Sequence, residues 1–437
     1  MKMVEIIDGG VTTPQGFKAA GVHSGVKYRS LDLGLLYSDV PATACVGYTS
    51  NAVKAAPVQV MMKENSPQLQ AVVVNSGNAN ALTGRRGIED ALTMKEVAAA
   101  ELNLDPKTVG VMSTGLIGRF MDMHKVKYGI SKAATQLDSG READNLLAEA
   151  IMTTDTIKKE CAVRVRLTDG TLVYIGAISK GSGMIEPHMK VLHGTTLSLV
   201  TTDATLSTAF REKWQEILDD SMNMVSVDGD QSTNDTCILL ANGRSNSKCA
   251  DNDPEFIAAL QFVMNKIART IAMDGEGASK LIEVQVNGAE TKEDARKAVK
   301  TIINSPLVKS AIFGSDPNYG RIMMALGNSG CKFNLEDVRL TIKGGDMEVP
   351  ILDSGAPVFQ EERSVEVVRM AMDNKEVTIV VDLALGDCSA TGWGCDLTYD
   401  YVRINAVLCR AERQLRHLYD SCGRRKRDSI DEFVWAE

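Results

Sequence analysis

The chain has 437 residues, of which 44% are apolar, 24% charged and only 5% aromatic, and its net charge is −9. That length holds about two to four domains, and the composition is that of a folded protein whose core is packed mostly by aliphatic side chains. The acidity argues against nucleic acid as a main partner, no run of about 18 apolar residues offers a membrane span, and the short, acidic stretch Met1–Gly10 does not read as a secretory signal.

Residues 4–60 alternate short apolar runs with turn formers such as Gly9–Gly10 and Pro14–Gly16, and Ala44–Tyr48 and Val58–Met62 read as strands. Ala71–Val74 reads as a buried strand that gives way to the polar stretch Asn75-Ser76-Gly77-Asn78-Ala79-Asn80. Ile88, Leu92, Val97 and Leu102 predict a helix over 88–102. Val109–Met112 is an apolar strand that enters Ser113-Thr114-Gly115-Leu116-Ile117-Gly118, a small-residue turn whose backbone N–H groups can approach a ligand closely. A helix over 142–152 leads into Met152-Thr153-Thr154-Asp155-Thr156, and Ala162–Leu167 with Leu172–Ile178 predict a hairpin around Asp169-Gly170. Its second strand delivers Lys180-Gly181-Ser182-Gly183-Met184-Ile185, after which Gly194–Thr195 precedes the apolar run Leu197–Val200.

A helix is expected over 203–220, starting near Asp203. Val225–Asp230 then leads into the polar loop Gln231-Ser232-Thr233-Asn234-Asp235 and a buried strand, Cys237–Leu240. Asp253 caps, and Pro254 opens, a long apolar helix that stops at Asp274-Gly275-Glu276-Gly277-Ala278. A strand at Leu281–Val286, a helix over 291–304, the turn-rich Phe313–Arg321 before another apolar helix, and strands at Val338–Ile342 and Val377–Leu385 continue the α/β pattern. Gly392–Thr398 precedes the apolar Tyr401–Ile404, and the chain ends in a basic helical tail around Arg410–Arg427. The nine cysteines include no C-x-x-C pair and read as reduced packing thiols of a cytoplasmic protein. Five histidines without ligand spacing predict no zinc site.

Threonine inside a chain is a weak nucleophile. At a chain start it carries its own base, because a free α-amine titrates at about 7.7–8.0. Cleavage after Gly194 would turn Thr195 into such a residue.

Taken together and in order, eight motifs resemble the ornithine acetyltransferase family of arginine biosynthesis, also called the bifunctional glutamate N-acetyltransferase or ArgJ family. They are Asn75–Asn80, Ser113–Gly118, Met152–Thr156, Lys180–Ile185, Val227-Asp228-Gly229-Asp230, Asp274–Ala278, Asp316-Pro317-Asn318-Tyr319-Gly320-Arg321 and Cys395-Asp396-Leu397-Thr398. The resemblance implies a mixed α/β, self-processing fold of the ArgJ/DmpA-like type. Its halves, 1–194 and 195–437, share one active site. It implies acetyl transfer from N2-acetyl-L-ornithine to L-glutamate through acetyl-Thr195, with self-cleavage between Gly194 and Thr195. The oxyanion hole falls on Thr114 and Gly115, and substrate contacts fall on Thr153, Lys180, Thr195, Glu276 and Asn405. No metal and no resident cofactor is implied. Acetyl-CoA stands open as a co-substrate, and the implied assembly is a heterotetramer of two α and two β chains, without a membrane or nucleic-acid partner.

The residue types suit these roles. Lys180 can pair with a substrate carboxylate, Glu276 with a substrate amine, and the Thr114 hydroxyl and Gly115 N–H can donate to an oxyanion. The sequence departs from the family pattern at two places. Lys190-Val191-Leu192-His193 stands as an insertion before the junction, where Gly194 replaces the usual alanine, and Arg410 with the tail to Glu437 extends beyond the usual chain end. The rival readings are a related Thr-nucleophile amidohydrolase or aminopeptidase, and an uncleaved homologue acting as a binding scaffold.

Overall fold

The computed structural model describes residues 4–188, 196–358 and 362–406. Two sheets form its frame. The first runs in the order Val4–Ile7, Lys159–Arg166, Leu172–Lys180, Leu197–Thr202, Thr236–Ala241, Leu33–Tyr48, Gln68–Asn75, Val109–Ser113, with Phe17–Val22 also paired to Leu33–Tyr48. The second runs Ala356–Pro357, Met347–Asp353, Arg339–Gly344, Glu376–Asp382, Leu281–Ala289, Cys388–Cys395, Val225–Ser226. Both mix parallel and antiparallel pairs, so the chain is of the mixed α/β class.

The middle of the first sheet is covered on both faces, which is why Leu197–Thr202 and Thr236–Ala241 are buried at every position rather than at alternate ones. In Leu197–Thr202 all six residues are buried. Leu197 and Leu199 join the core under the helices of the first 151 residues, whereas Val200 joins the larger core on the other side. That larger core is built around the helix Pro254–Met273, which packs against Lys159–Arg166 and Leu172–Lys180 of the first sheet and Cys388–Cys395 of the second. The helix is long and apolar enough, by length and composition alone, to cross a membrane; here Phe256, Leu260, Val263, Met264, Ile267 and Ile271 are buried between the sheets. It starts as expected, with the Asp253 carboxylate accepting from the N–H groups of Glu255 and Phe256 and Pro254 in the first turn.

Two elements differ from expectation. Val58–Met62 lies in a helix, Ala56–Glu64, not a strand. Pro57 fixes a helical φ at its start, and Val58, Val60 and Met61 are buried as it packs on the helix Gly84–Leu102 and the strand Val109–Ser113. A five-residue apolar run has no period long enough to tell the two apart. The helix expected from Asp203 begins only at Arg211 and ends at Asp219. Instead of capping it, the Asp203 carboxylate accepts from the Tyr174 and Gln15 N–H groups, tying residues 203–207 to the sheet as a loop. Five cysteines are buried packing residues; burial pushes the Cys161 thiol up to about 11 and that of Cys237 up to about 12.

Because Ile267 sits at the centre of the helix shared by both sheets, Ile267→Ala should cost about 2–5 kcal/mol. Chemical denaturation read by circular dichroism should report one lowered transition.

Candidate active site

The strands Gln68–Asn75 and Val109–Ser113 run parallel, with Asn75 opposite Ser113. Their C-terminal ends therefore deliver two small-residue turns side by side. The Ser113 hydroxyl donates to Asn75 Oδ1 at 2.6 Å, Asn75 Nδ2 donates to the Asn78 carbonyl at 2.8 Å, and the Thr114 N–H donates to the Asn75 carbonyl at 3.0 Å. Gly115 has φ +128°, and a Cβ there would lie 2.4 Å from the Gly77 carbonyl carbon, so no other residue fits. Among the described residues no hydrogen-bond acceptor takes the Gly115 N–H.

Lys180 ends its strand facing this turn, with Nζ donating to Thr114 Oγ1 at 3.5 Å. Thr114, Lys180 and Glu276 are each 8% exposed. Burial lowers the pKa of Lys180, and Lys159 adds to this, while Asp155, Asp235 and Glu276 oppose it. Behind Lys180 lies a buried ionic hub. Lys159 Nζ donates to Asp155 Oδ1 at 2.7 Å and to Asp274 Oδ2 at 2.5 Å. Asp155 also accepts from the Gly181 N–H at 2.7 Å and the Thr153 N–H at 2.9 Å. Burial works against the charge on Asp155, but Lys180 and Lys159 outweigh it and hold its carboxyl well below the ordinary carboxylate range.

From the hub the chain reaches Glu276 in two residues. Its N–H donates to the Ser182 carbonyl at 2.9 Å, and its carboxylate lies over Gly183, where a Cβ would come within 2.4 Å of the carboxyl carbon. Asn405 Nδ2 donates to Glu276 Oε2 at 2.9 Å from a helix spanning residues 399 to 406. Asp228 joins that helix to the Lys180–Ile185 turn, accepting from the Met184 N–H at 2.7 Å, the Ile185 N–H at 2.9 Å and the Tyr401 hydroxyl at 3.4 Å.

A family model described as the ArgJ family matches residues 18–408. The chain belongs to the ArgJ family. It is 44% identical over 415 residues to the arginine biosynthesis bifunctional protein ArgJ of Oceanobacillus iheyensis, covering 93% of this chain and 98% of that one. It is 47% identical over 412 residues to the Symbiobacterium thermophilum protein of the same name, covering 92% and 99%. A glutamate N-acetyltransferase of Methanothermobacter thermautotrophicus is 44% identical over 406 residues, covering 92% and 98%. Among solved structures, the ornithine acetyltransferase of Mycobacterium tuberculosis complexed with ornithine is 37% identical, with a TM-score of 0.40. The match covers 43% of this chain and all of the matched chain.

Of the residues that the family resemblance singled out, the fold gathers Thr114, Gly115, Lys180, Glu276 and Asn405 around the Lys180–Ile185 turn. Thr153 is half-buried and enters through its backbone N–H, which is fixed by Asp155. Gly194, Thr195 and the Lys190–His193 insertion lie outside the described residues, as do Arg410 and the tail. His188 Nε2 lies 3.6 Å from the Glu186 carboxylate.

Several site residues were not assigned from sequence. Lys159 looks like an ordinary surface charge in the sequence, and Asp274, although it opens a family motif, has no role there until its contact with Lys159 shows one. Lys27 is another: its Nζ donates to the Met152 carbonyl at 2.6 Å and the Leu31 carbonyl at 3.0 Å. Burial chiefly, with Lys180 adding, brings its pKa down to about 8.

Removing one partner of a buried ion pair is costly, so Asp155→Asn should lower stability by about 3–5 kcal/mol. A carboxyl whose folded-state pKa lies below its unfolded value of about 3.9 contributes stability that is full above that value and drains as pH falls toward the folded one. Denaturation curves collected below about pH 4 should therefore show a steeper loss with acid in the wild type than in Asp155→Asn.

Proposed function

We propose that the chain carries the acetyl group of N2-acetyl-L-ornithine to L-glutamate through an ester on Thr195, exposed as a chain start by cleavage after Gly194. One observation carries this reading most: Lys180, the Thr114–Gly115 turn and the Glu276–Asn405 pair converge where the chain enters the strand Leu197–Thr202. Both substrates carry an α-carboxylate, so one cation at a fixed position can seat either in turn.

In the first half-reaction the α-amine of Thr195 takes the hydroxyl proton as Oγ bonds to the acetyl carbon. The resulting oxyanion meets the Thr114 hydroxyl and the Gly115 N–H, the latter held open by a backbone conformation that only glycine adopts. When the C–N bond breaks, the proton passes to the departing ornithine amine. Glutamate then attacks the ester by the reverse path and restores the threonine. Lys180 receives the α-carboxylate; an incoming anion favours its charged form against the burial that lowers its pKa. Glu276, steadied by Asn405, takes the side-chain amine of ornithine.

The strand Leu197–Thr202 pairs with Leu172–Lys180 on one side and Thr236–Ala241 on the other, so a cut before it leaves it locked inside the sheet. This supports cleaved halves that stay together; the family resemblance adds a cytoplasmic assembly of two α and two β chains to the reading. Thr196, which follows the nucleophile, has φ +104°, a strained conformation for a β-branched residue that costs about 1–3 kcal/mol. Strain beside the junction favours a cut there. Acetyl-CoA enters the same reading as a second acetyl donor.

Thr195→Ala should remain one band on a denaturing gel and transfer no acetyl group; transfer at the normal rate would overturn the reading. Intact mass after brief exposure to N-acetylornithine should report two chains and one acetyl group on the chain that starts at Thr195. Acetate release independent of glutamate would point to a hydrolase instead. Thr114→Val should lower kcat by about 10²–10³-fold, the usual effect of losing one oxyanion donor, and leave KM within a few-fold.

A further inference from the structure

The loop Gln231–Asp235 stands out in the sequence as polar and small, yet the family's substrate and oxyanion contacts leave it without a role. It lies between the two parts of the site that must act together. Asn234 Nδ2 donates to the Ser113 carbonyl at 2.7 Å, one residue before Thr114, and to the Ala79 carbonyl at 2.6 Å. The next residue, Asp235, is 3% exposed, and its Oδ1 accepts from the Thr196 N–H at 2.6 Å. The Thr236 N–H in turn donates to the Thr196 carbonyl at 2.6 Å. Three consecutive residues, the last two of the loop and the first of the strand Thr236–Ala241, thus grip the oxyanion turn on one side and both peptide groups of Thr196 on the other.

The Thr196 N–H belongs to the peptide that joins residues 195 and 196. That unit is planar, so fixing its N–H fixes the plane from which the preceding residue projects. The donor is held by a carboxylate, whereas a strand normally supplies a carbonyl. A charge-assisted bond is shorter and stronger than a neutral one, and it brings a negative charge into a buried site. That charge reaches Lys180, for which Asp235 is one of three stabilising carboxylates.

We infer that Asp235 is a positioning residue of the acetyl-transfer centre, orienting the Thr196 peptide at the start of the second half of the chain against the Thr114–Gly115 turn through a charged hydrogen bond. The inference rests on the reading of Thr195 as the nucleophile.

Asp235→Asn keeps an oxygen that can accept the Thr196 N–H but removes the charge, and Asp235→Glu keeps the charge on a longer arm. Unfolding transition, extent of self-cleavage, and kcat and KM per folded protein are measured for both beside the wild type and Thr195→Ala. Asp235→Asn should cleave incompletely and lose about a hundredfold in kcat, with KM for N-acetylornithine within about threefold and an unfolding transition close to wild type. Asp235→Glu should recover part of the kcat. Wild-type kcat in Asp235→Asn, beside an inactive Thr195→Ala, overturns this proposal alone. Equal losses in both Asp235 variants, tracking a lowered unfolding transition, also overturn it, because a purely structural role predicts that pattern. Acetyl transfer retained in Thr195→Ala overturns the nucleophile reading and this inference with it.

Discussion

The site depends on one buried interaction, the ammonium of Lys159 held between the carboxylates of Asp155 and Asp274. Each partner would be expensive to bury alone, and each brings a different stretch of chain with it. Lys159 starts a strand of the first sheet, Asp155 fixes the Thr153 and Gly181 N–H groups, and Asp274 ends the long central helix two residues before Glu276. Asp274 also accepts from the Thr156 hydroxyl and N–H, and its carbonyl takes the Ser182 hydroxyl. Lys180 and Glu276, the groups proposed to face the substrate, therefore project from opposite ends of one electrostatic knot, and their spacing is not left to flexible loops.

The two sheets make that knot possible. The helix Pro254–Met273 lies between them and ends where they meet the site, so the packing of its apolar face sets the position of Asp274 and Glu276. The parallel pairing of Gln68–Asn75 with Val109–Ser113 brings the Asn75–Asn80 and Ser113–Gly118 turns together, and Asn75 bonds across to Ser113. The loop at Asn234–Thr236 closes the remaining side. Motifs that lie far apart in the chain become one cluster through strand register and a few side-chain bonds.

Much of this was legible in the sequence. The Asp253–Pro254 start, the hairpin at Asp169-Gly170 and the strands at Ala71–Val74 and Cys237–Leu240 fold as their signals indicate, because each signal is local chemistry: a cap, a fixed φ, a tight turn, an unbroken apolar run. Val58–Met62 and the start of the helix after Asp203 were misread. In each, tertiary contact decided: a helix packing face for one, and for the other a carboxylate diverted to the N–H groups of Tyr174 and Gln15.

By itself, the sequence determined the mixed α/β class, the membership carried by its ordered motifs, and the residues Thr114, Gly115, Lys180, Glu276 and Asn405 as a candidate set. The class follows from residue type and order, and the candidate set from the family resemblance that the ordered motifs carry. Only the tertiary structure decided which ordinary-looking charges matter. Lys159 and Lys27 have no local signature, and the segments that contain Asp274 and Asp235 do not say what those carboxylates do, since a lysine or aspartate acquires its role from what it meets after folding, and the partners stand as many as 125 residues away.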